Sequence, residues 1–234
     1  MSIKKYSCIF FDLDHTLWDY ETNSKETLEE LYGHYRLQEI GVTDFTIFHL
    51  RFNEVNAALW ELYDTGKIDS TVIRKERFKQ ILESFHAYDE KLSLDISHDF
   101  LTTCPKKGAL MPSAIQVLEY LKNSAYELSI ITNGFEEIQH IKMASGNLHH
   151  YFDHIITSQK AGHRKPALEI FQFALHLHGK QNYEAIMIGD NIIADMGGAK
   201  NAGIDTVYFN PNGLQHNTTP LHEITRLDEL LLIL

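Results

Sequence analysis

Asp12 and Asp14 stand one residue apart at the end of the apolar run Cys8-Ile9-Phe10-Phe11, in the string Asp-Leu-Asp-His-Thr. Two carboxylates this close repel when both are ionised, and a cation or a shared proton relieves the repulsion. The pair reads either as an Asx turn ending a strand or as part of a charged site. Three later stretches bear on the choice. Thr132-Asn133-Gly134 follows the apolar Leu128-Ser129-Ile130-Ile131, and Lys165 sits in Gly162-His163-Arg164-Lys165-Pro166. Gly189-Asp190 follows Ala185-Ile186-Met187-Ile188, with Asp195 five residues on. Carboxylates, a hydroxyl, an amide and one ammonium suit phosphoryl transfer with Mg2+. Magnesium takes a few carboxylate oxygens and keeps several waters, while the ammonium and hydroxyl hold phosphate oxygens. In that chemistry Asp12 attacks phosphorus and forms an aspartyl phosphate. Asp14 protonates the leaving oxygen and then deprotonates the attacking water. Asp190 holds the metal, and Thr132, Asn133 and Lys165 bind the phosphate. Asp195 orients Lys165 or a water on the metal. Each motif alone has a plainer reading as a turn or a solvated lysine; their joint occurrence favours the chemistry.

These residues meet only if the strands that carry them share an edge. Cys8–Phe11 is a short apolar run of the kind buried on both faces of a sheet. From residue 106 onward strands and helices alternate, which predicts a parallel sheet covered by helices, an α/β class. In such a sheet ligands bind beyond the carboxyl ends of the strands. Residues 20–105 carry no strong strand signal. Phe45, Phe48, Phe52, Val55, Leu59 and Leu62 alternate steps of three and four, a helical seam. Four helices are expected there, with Ser24 and Ser70 as N-caps of the first and third. The expected organisation is a core of residues 1–19 and 106–234, with residues 20–105 inserted after strand one. An insertion at that place overhangs the strand ends, so it is expected to act as a lid over Asp12 and to move relative to the core. Within the core, Pro112 is placed near a helix start and Pro166 at the start of a helix through His176. Further helices are expected over 194–201 and 227–234.

The chain has 234 residues, 44% of them hydrophobic, and a formal net charge of -11. That acidity argues against a nucleic-acid polymer as partner, which needs a basic face. It allows a small phosphorylated metabolite whose site carries its own cation. Cys8 and Cys104 are far apart and show no metal spacing, which suits free thiols in a reducing compartment. The apolar run near the N-terminus is short for a signal peptide, and no run is long enough to span a membrane. A cytoplasmic protein without a membrane partner is expected. The fourteen histidines, His149, His150 and His154 among them, sit in no carboxylate or thiol pattern that completes a zinc site. Oligomeric state is not legible.

The four stretches Asp12-Leu13-Asp14-His15-Thr16, Ile131-Thr132-Asn133-Gly134, Lys165-Pro166 and Gly189-Asp190-x4-Asp195 resemble, in order and spacing, the motifs of the haloacid dehalogenase superfamily. Gly198-Ala199 and Ala202-Gly203 extend the fourth. The resemblance covers the whole chain. It implies a Rossmann-like core with an all-helical C1 cap, an aspartate nucleophile at Asp12 and Mg2+ as cofactor. It also implies a metal held by Asp12, by the backbone carbonyl of Asp14 and by Asp190. Met111-Pro112-Ser113 departs from the Pro-Gly of many relatives, at the re-entry turn. The stretches Val55–Ile68 and Arg74–Phe78, taken with Phe135, resemble the pyrimidine 5′-nucleotidase branch.

Four functions compete. A Mg2+-dependent phosphomonoester hydrolase, with a 5′-nucleotidase as one form, uses every residue named. A phosphatase of a sugar phosphate, phosphoglycolate or pyrophosphate would use the same core. A 2-haloacid dehalogenase needs no metal and has no use for Asp14. A non-catalytic phospho-acceptor domain lacks a second aspartate at this spacing and the large insertion.

Overall fold

A computed structural model describes residues 5–234. In chain order its elements are β1 (Cys8–Phe11), α1 (Tyr20–His34), α2 (Phe45–Asp64), α3 (Ser70–Ser84), α4 (Glu90–Thr103), α5 (Ala114–Asn123) and β2 (Glu127–Thr132). Then follow α6 (Glu136–Ser145), β3 (His154–Thr157), α7 (Ser158–Ala161), α8 (Leu168–His178), β4 (Ala185–Gly189), α9 (Gly198–Asn201), β5 (Asp205–Phe209), β6 (His222–Ile224) and α10 (Leu230–Ile233). The strands form one sheet in the order β3-β2-β1-β4-β5-β6, and every pairing is parallel. This is the expected α/β, Rossmann-like architecture. β1 is buried along its whole length, as a central strand covered on both faces must be. The order reverses at β1 and β4, and a crevice for ligands opens beyond the strand ends at such a reversal.

The chain divides into two compact units, one running to Tyr20 and resuming at Gly108, the other Glu21–Lys107. In the first, Phe10, Ile131, Ile156, Phe171, Met187 and Ala199 belong to one apolar cluster on the sheet. The two connecting segments lie side by side. Trp18 bridges Leu110 in antiparallel fashion, the Asp19 N–H donates to the Ala109 carbonyl at 3.1 Å and the Met111 N–H to the Leu17 carbonyl at 2.9 Å.

In the helical unit an aspartate side chain caps each of three helices. Asp44 accepts from the Ile47 N–H, Asp69 from Thr71 and Val72, and Asp89 from Leu92. Such caps contribute about 1 kcal/mol each. Phe52, Phe78 and Phe100 form an aromatic centre with ring centroids 5.1–5.9 Å apart. The buried Arg77 guanidinium lies 4.6 Å from the Phe100 ring centroid and donates to the Asn56 side-chain carbonyl.

Several element ends differ from expectation. α1 begins at Tyr20, so Ser24 is no N-cap; it is buried within the helix. Ser24 and Thr27 go inside because helix carbonyls satisfy their hydroxyls, which donate to the Glu21 carbonyl at 3.3 Å and the Asn23 carbonyl at 2.8 Å. Asp69, not Ser70, caps α3. α5 begins at Ala114 after Ser113 in the left-handed region, which leaves Pro112 outside it. α8 begins two residues after Pro166 and runs on to His178. The expected helix over 194–201 is a π-helical turn, Ile192–Gly197, followed by α9. The chain end is a 3-10 turn and the short α10. Among the described residues no helix is long and apolar enough to cross a membrane.

Candidate active site

The carboxyl ends of β1, β2 and β4 carry the charged residues. Asp12 extends β1 by one residue, its N–H donating to the Ile188 carbonyl of β4 at 2.9 Å. Asp190 follows the last residue of β4, and Thr132 is the last of β2. Lys165 reaches this edge from the loop between α7 and α8. Its Nζ lies 2.8 Å from Asp12 Oδ1 and 2.6 Å from Asp195 Oδ1. Lys165 is 2% exposed and Asp195 0%.

Asn133 fixes the Lys165 backbone. Its side-chain amide donates to the Lys165 carbonyl at 2.9 Å and its side-chain carbonyl accepts from the Lys165 N–H at 2.8 Å. Both ends of the amide are therefore engaged with the loop, which ties the Lys165 backbone to the end of β2. The Thr132 hydroxyl is buried and accepts from the Gly134 N–H at 3.0 Å. Its own proton can still be donated outward.

Asp195 is brought in by the π-helical turn. Asn191 caps that turn by accepting from the Ile193 and Ala194 N–H groups, and Asp195 Oδ2 accepts from the Asn191 N–H at 3.0 Å. A Cβ at Gly189 would overlap the Asp195 carboxylate, and one at Gly198 would meet the Phe171 ring and the Pro166 backbone. Those two glycines let the turn press against β4 and α8. Their place in the fourth motif thus has a steric cause.

The electrostatics are lopsided. One carboxylate oxygen each from Asp12, Asp190 and Asp195 lie within 4.8 Å of one another, and among the described residues the Lys165 ammonium pairs with two of the three. Burial pushes the Asp12 carboxyl up to about 7; Lys165 works against that rise and Asp195 adds to it. Burial also raises Asp190, to about 6, against the pull of His15. Asp195 is raised by burial too. Burial opposes the Lys165 charge, but Asp12 and Asp195 outweigh it and hold the ammonium well above its usual range. Both Asp195 oxygens already have partners. Asp12 and Asp190 remain as hard oxygen donors beside surplus negative charge, a set that fits a divalent cation. The Thr16 hydroxyl donates to Asp190 Oδ1 at 3.1 Å and orients that carboxylate.

The profile of the haloacid dehalogenase-like hydrolases matches residues 9–209. The chain belongs to this family. Pyrimidine 5'-nucleotidase PynA of Streptococcus pneumoniae is 30% identical over 229 residues, covering 97% of this chain and 94% of its own. Pyrimidine 5'-nucleotidase YjjG of Escherichia coli is 29% identical over 232 residues, 95% of this chain and 98% of its own. In structure, the putative HAD-hydrolase YfnB of Bacillus subtilis, bound to magnesium, superposes with a TM-score of 0.87 at 24% identity, over 98% of this chain and 99% of its own.

The structure of this hydrolase adds residues that the motifs do not name. Lys142 Nζ lies 2.6 Å from Asp14 Oδ1, and Gln139 Nε2 approaches Asp14 Oδ2 at 3.5 Å. Both project from α6. On sequence they look like the polar side of an ordinary amphipathic helix, and only their three-residue spacing places them on one face. Thr16 lies inside the first motif and was quoted there without a task.

Proposed function

We propose that this protein is a phosphomonoester hydrolase that works through an aspartyl phosphate and uses Mg2+. The observation that carries the reading is the buried Asp12–Lys165–Asp195 cluster with Asp190 beside it. Asp12 and Asp190, with the Asp14 carbonyl, would hold the metal, which would supply positive charge to offset repulsion between an anionic nucleophile and an anionic substrate.

Lys165 holds one Asp12 oxygen and so fixes where the other points. The Asp12 carboxylate forms a bond to phosphorus as the ester P–O bond breaks. Asp14 gives its proton to the departing oxygen. A water then attacks the same phosphorus, Asp14 takes a proton from it, the Asp12–phosphorus bond breaks and inorganic phosphate leaves. The Thr132 hydroxyl and the Lys165 ammonium face the phosphate oxygens as charge moves onto them. Asn133 and Asp195 keep Lys165 in place. Asp14 has a task here that dehalogenation would not give it.

The preferred substrate is a nucleoside monophosphate with a pyrimidine base. The two relatives named as pyrimidine 5'-nucleotidases, each matched over nearly its whole length, support this choice, as does the aromatic content of the helical unit. Other relatives are phosphatases of ribulose-1,5-bisphosphate and glyceraldehyde 3-phosphate, so the choice needs a direct measurement. Steady-state kinetics with Mg2+ on UMP, CMP, AMP, a hexose phosphate, phosphoglycolate and pyrophosphate should give the highest kcat/KM for the pyrimidine nucleotides. A preference for pyrophosphate or a hexose phosphate would leave the hydrolase chemistry standing and discard the nucleotidase assignment.

A further inference from the structure

Asp14 is not a bare carboxylate at the edge of the site. Lys142 meets its Oδ1 at 2.6 Å and Gln139 approaches its Oδ2 at 3.5 Å, so each oxygen faces a donor from α6. Gln139 is 1% exposed and Lys142 5%. The Lys142 ammonium also lies 4.5 Å from the Trp18 ring centroid and 5.5 Å from that of Tyr20. Trp18 is fully buried, and its backbone is hydrogen-bonded on both sides of the turn that carries Asp14. An ammonium held between a carboxylate and two aromatic faces loses most of its rotational freedom, and its attraction for each is stronger out of water.

The chain makes room for this arrangement. A Cβ at Gly134 would run into the Gln139 side chain. The glycine after Asn133 therefore lets α6 start close to β2 and swing Gln139 and Lys142 toward the β1 turn. One strand–turn–helix unit, β2 to α6, thus carries both the Thr132 hydroxyl and the two donors that meet Asp14.

We propose that Lys142 is a positioning residue for the hydrolysis, with Gln139 as its assistant: it holds the Asp14 carboxylate in the orientation from which proton transfer to and from the ester oxygen occurs. This rests on the reading of Asp14 as the acid and base of the reaction. A buried ammonium needs a counter-charge whatever its role, so turnover rather than stability distinguishes positioning from folding. Positional error of a catalytic group is costly, since reaction requires near-attack geometry.

The test is a kinetic cycle on the full protein with Mg2+, using wild type, K142M, D14N and K142M/D14N. Each is assayed on UMP, whose alkoxide leaves poorly without a proton, and on p-nitrophenyl phosphate, whose phenolate leaves without one. General acid–base groups contribute about 10²–10⁴-fold, so K142M should lower kcat/KM on UMP, which reports transfer to Asp12 and departure of the leaving group but not the shared hydrolysis step, by about 10- to 100-fold. The loss on p-nitrophenyl phosphate should be several-fold smaller. In the D14N background K142M should add almost nothing, because the group it positions is gone. Equal losses on both substrates, or a K142M loss that multiplies fully with that of D14N, would overturn the role of Lys142 while leaving Asp14 in place. A D14N variant as active as wild type on UMP would instead remove the acid–base reading itself. Should K142M fail to fold, K142Q enters the same cycle and is read by the same two ratios.

Discussion

Lys165 and Arg77 are both 2% exposed, and the two units accommodate these cations differently. At the sheet edge Lys165 sits between two carboxylates, with a third close by. In the helical unit Arg77 lies over Phe52, Phe78 and Phe100, its guanidinium carbon 4.6–5.5 Å from the ring centroids. The first arrangement leaves negative charge unbalanced, the second joins a cation to apolar packing. Unbalanced buried charge is costly to fold and is found where a ligand later offsets it. Packed aromatics mainly stabilise. One unit is thus organised around charge, the other around volume.

Removing a charged group should affect turnover more than folding. Asp12→Asn should reduce turnover by about 10⁴-fold or more while the melting temperature holds or rises, since a repelling carboxylate is gone. Near-normal activity in that variant would sink the nucleophile assignment. Taking away the cation should act almost as strongly. Chelation should abolish hydrolysis and added Mg2+ restore it, and the melting temperature should rise with Mg2+ in the wild type but not in Asp190→Asn. A site at about 100 times its dissociation constant stabilises by about 2.7 kcal/mol. Full activity in excess chelator would mean that the surplus charge has another purpose.

Volume should behave the opposite way. Phe100→Ala should destabilise by about 3–5 kcal/mol, by the same amount with or without Mg2+. A loss that depended on the metal would break the contrast between the units. The smallest effect is on pH. The Asp12 and Asp190 carboxyls bind protons more tightly when folded than when unfolded. In metal-free protein the contribution of this pair to stability should therefore be full below the ordinary carboxylate range and be lost as pH rises through about 6 to 7. Denaturant titrations of metal-free protein from pH 4 to 7 should show the wild type losing stability relative to Asp190→Asn, and saturating Mg2+ should reverse that difference. Parallel profiles for the two proteins would show that the cluster is balanced without a cation.

Much of this was legible because the chemistry sits at strand ends. Apolar runs announce β1, β2 and β4, and the polar residue after each is automatically at the site edge. The helical seam from Phe45 was readable in the same way, as α2. β6 was not, because His222-Glu223-Ile224 has a single apolar residue and is recruited by its register with β5. The π-helical turn was invisible because it is set by the Asn191 cap and the missing Cβ of Gly189, neither of which has a period. Lys142 and Gln139 escaped for a related reason. Their meaning lies in a contact with a residue more than a hundred positions away, on a helix whose own pattern is ordinary.

The paired connections at Trp18 and Leu110 have a consequence for engineering. The chain leaves the sheet unit and returns to it along two hydrogen-bonded neighbours, Asp19 and Ala109, which is the geometry a hairpin turn closes. The segment between them is spliced into a ribbon that is already shut at its base. Replacing that segment by a two-residue Asn-Gly turn should leave a miniature protein that still folds. Its circular dichroism should show a cooperative melt, and an aggregated or unfolded product would mean that the sheet depends on its passenger.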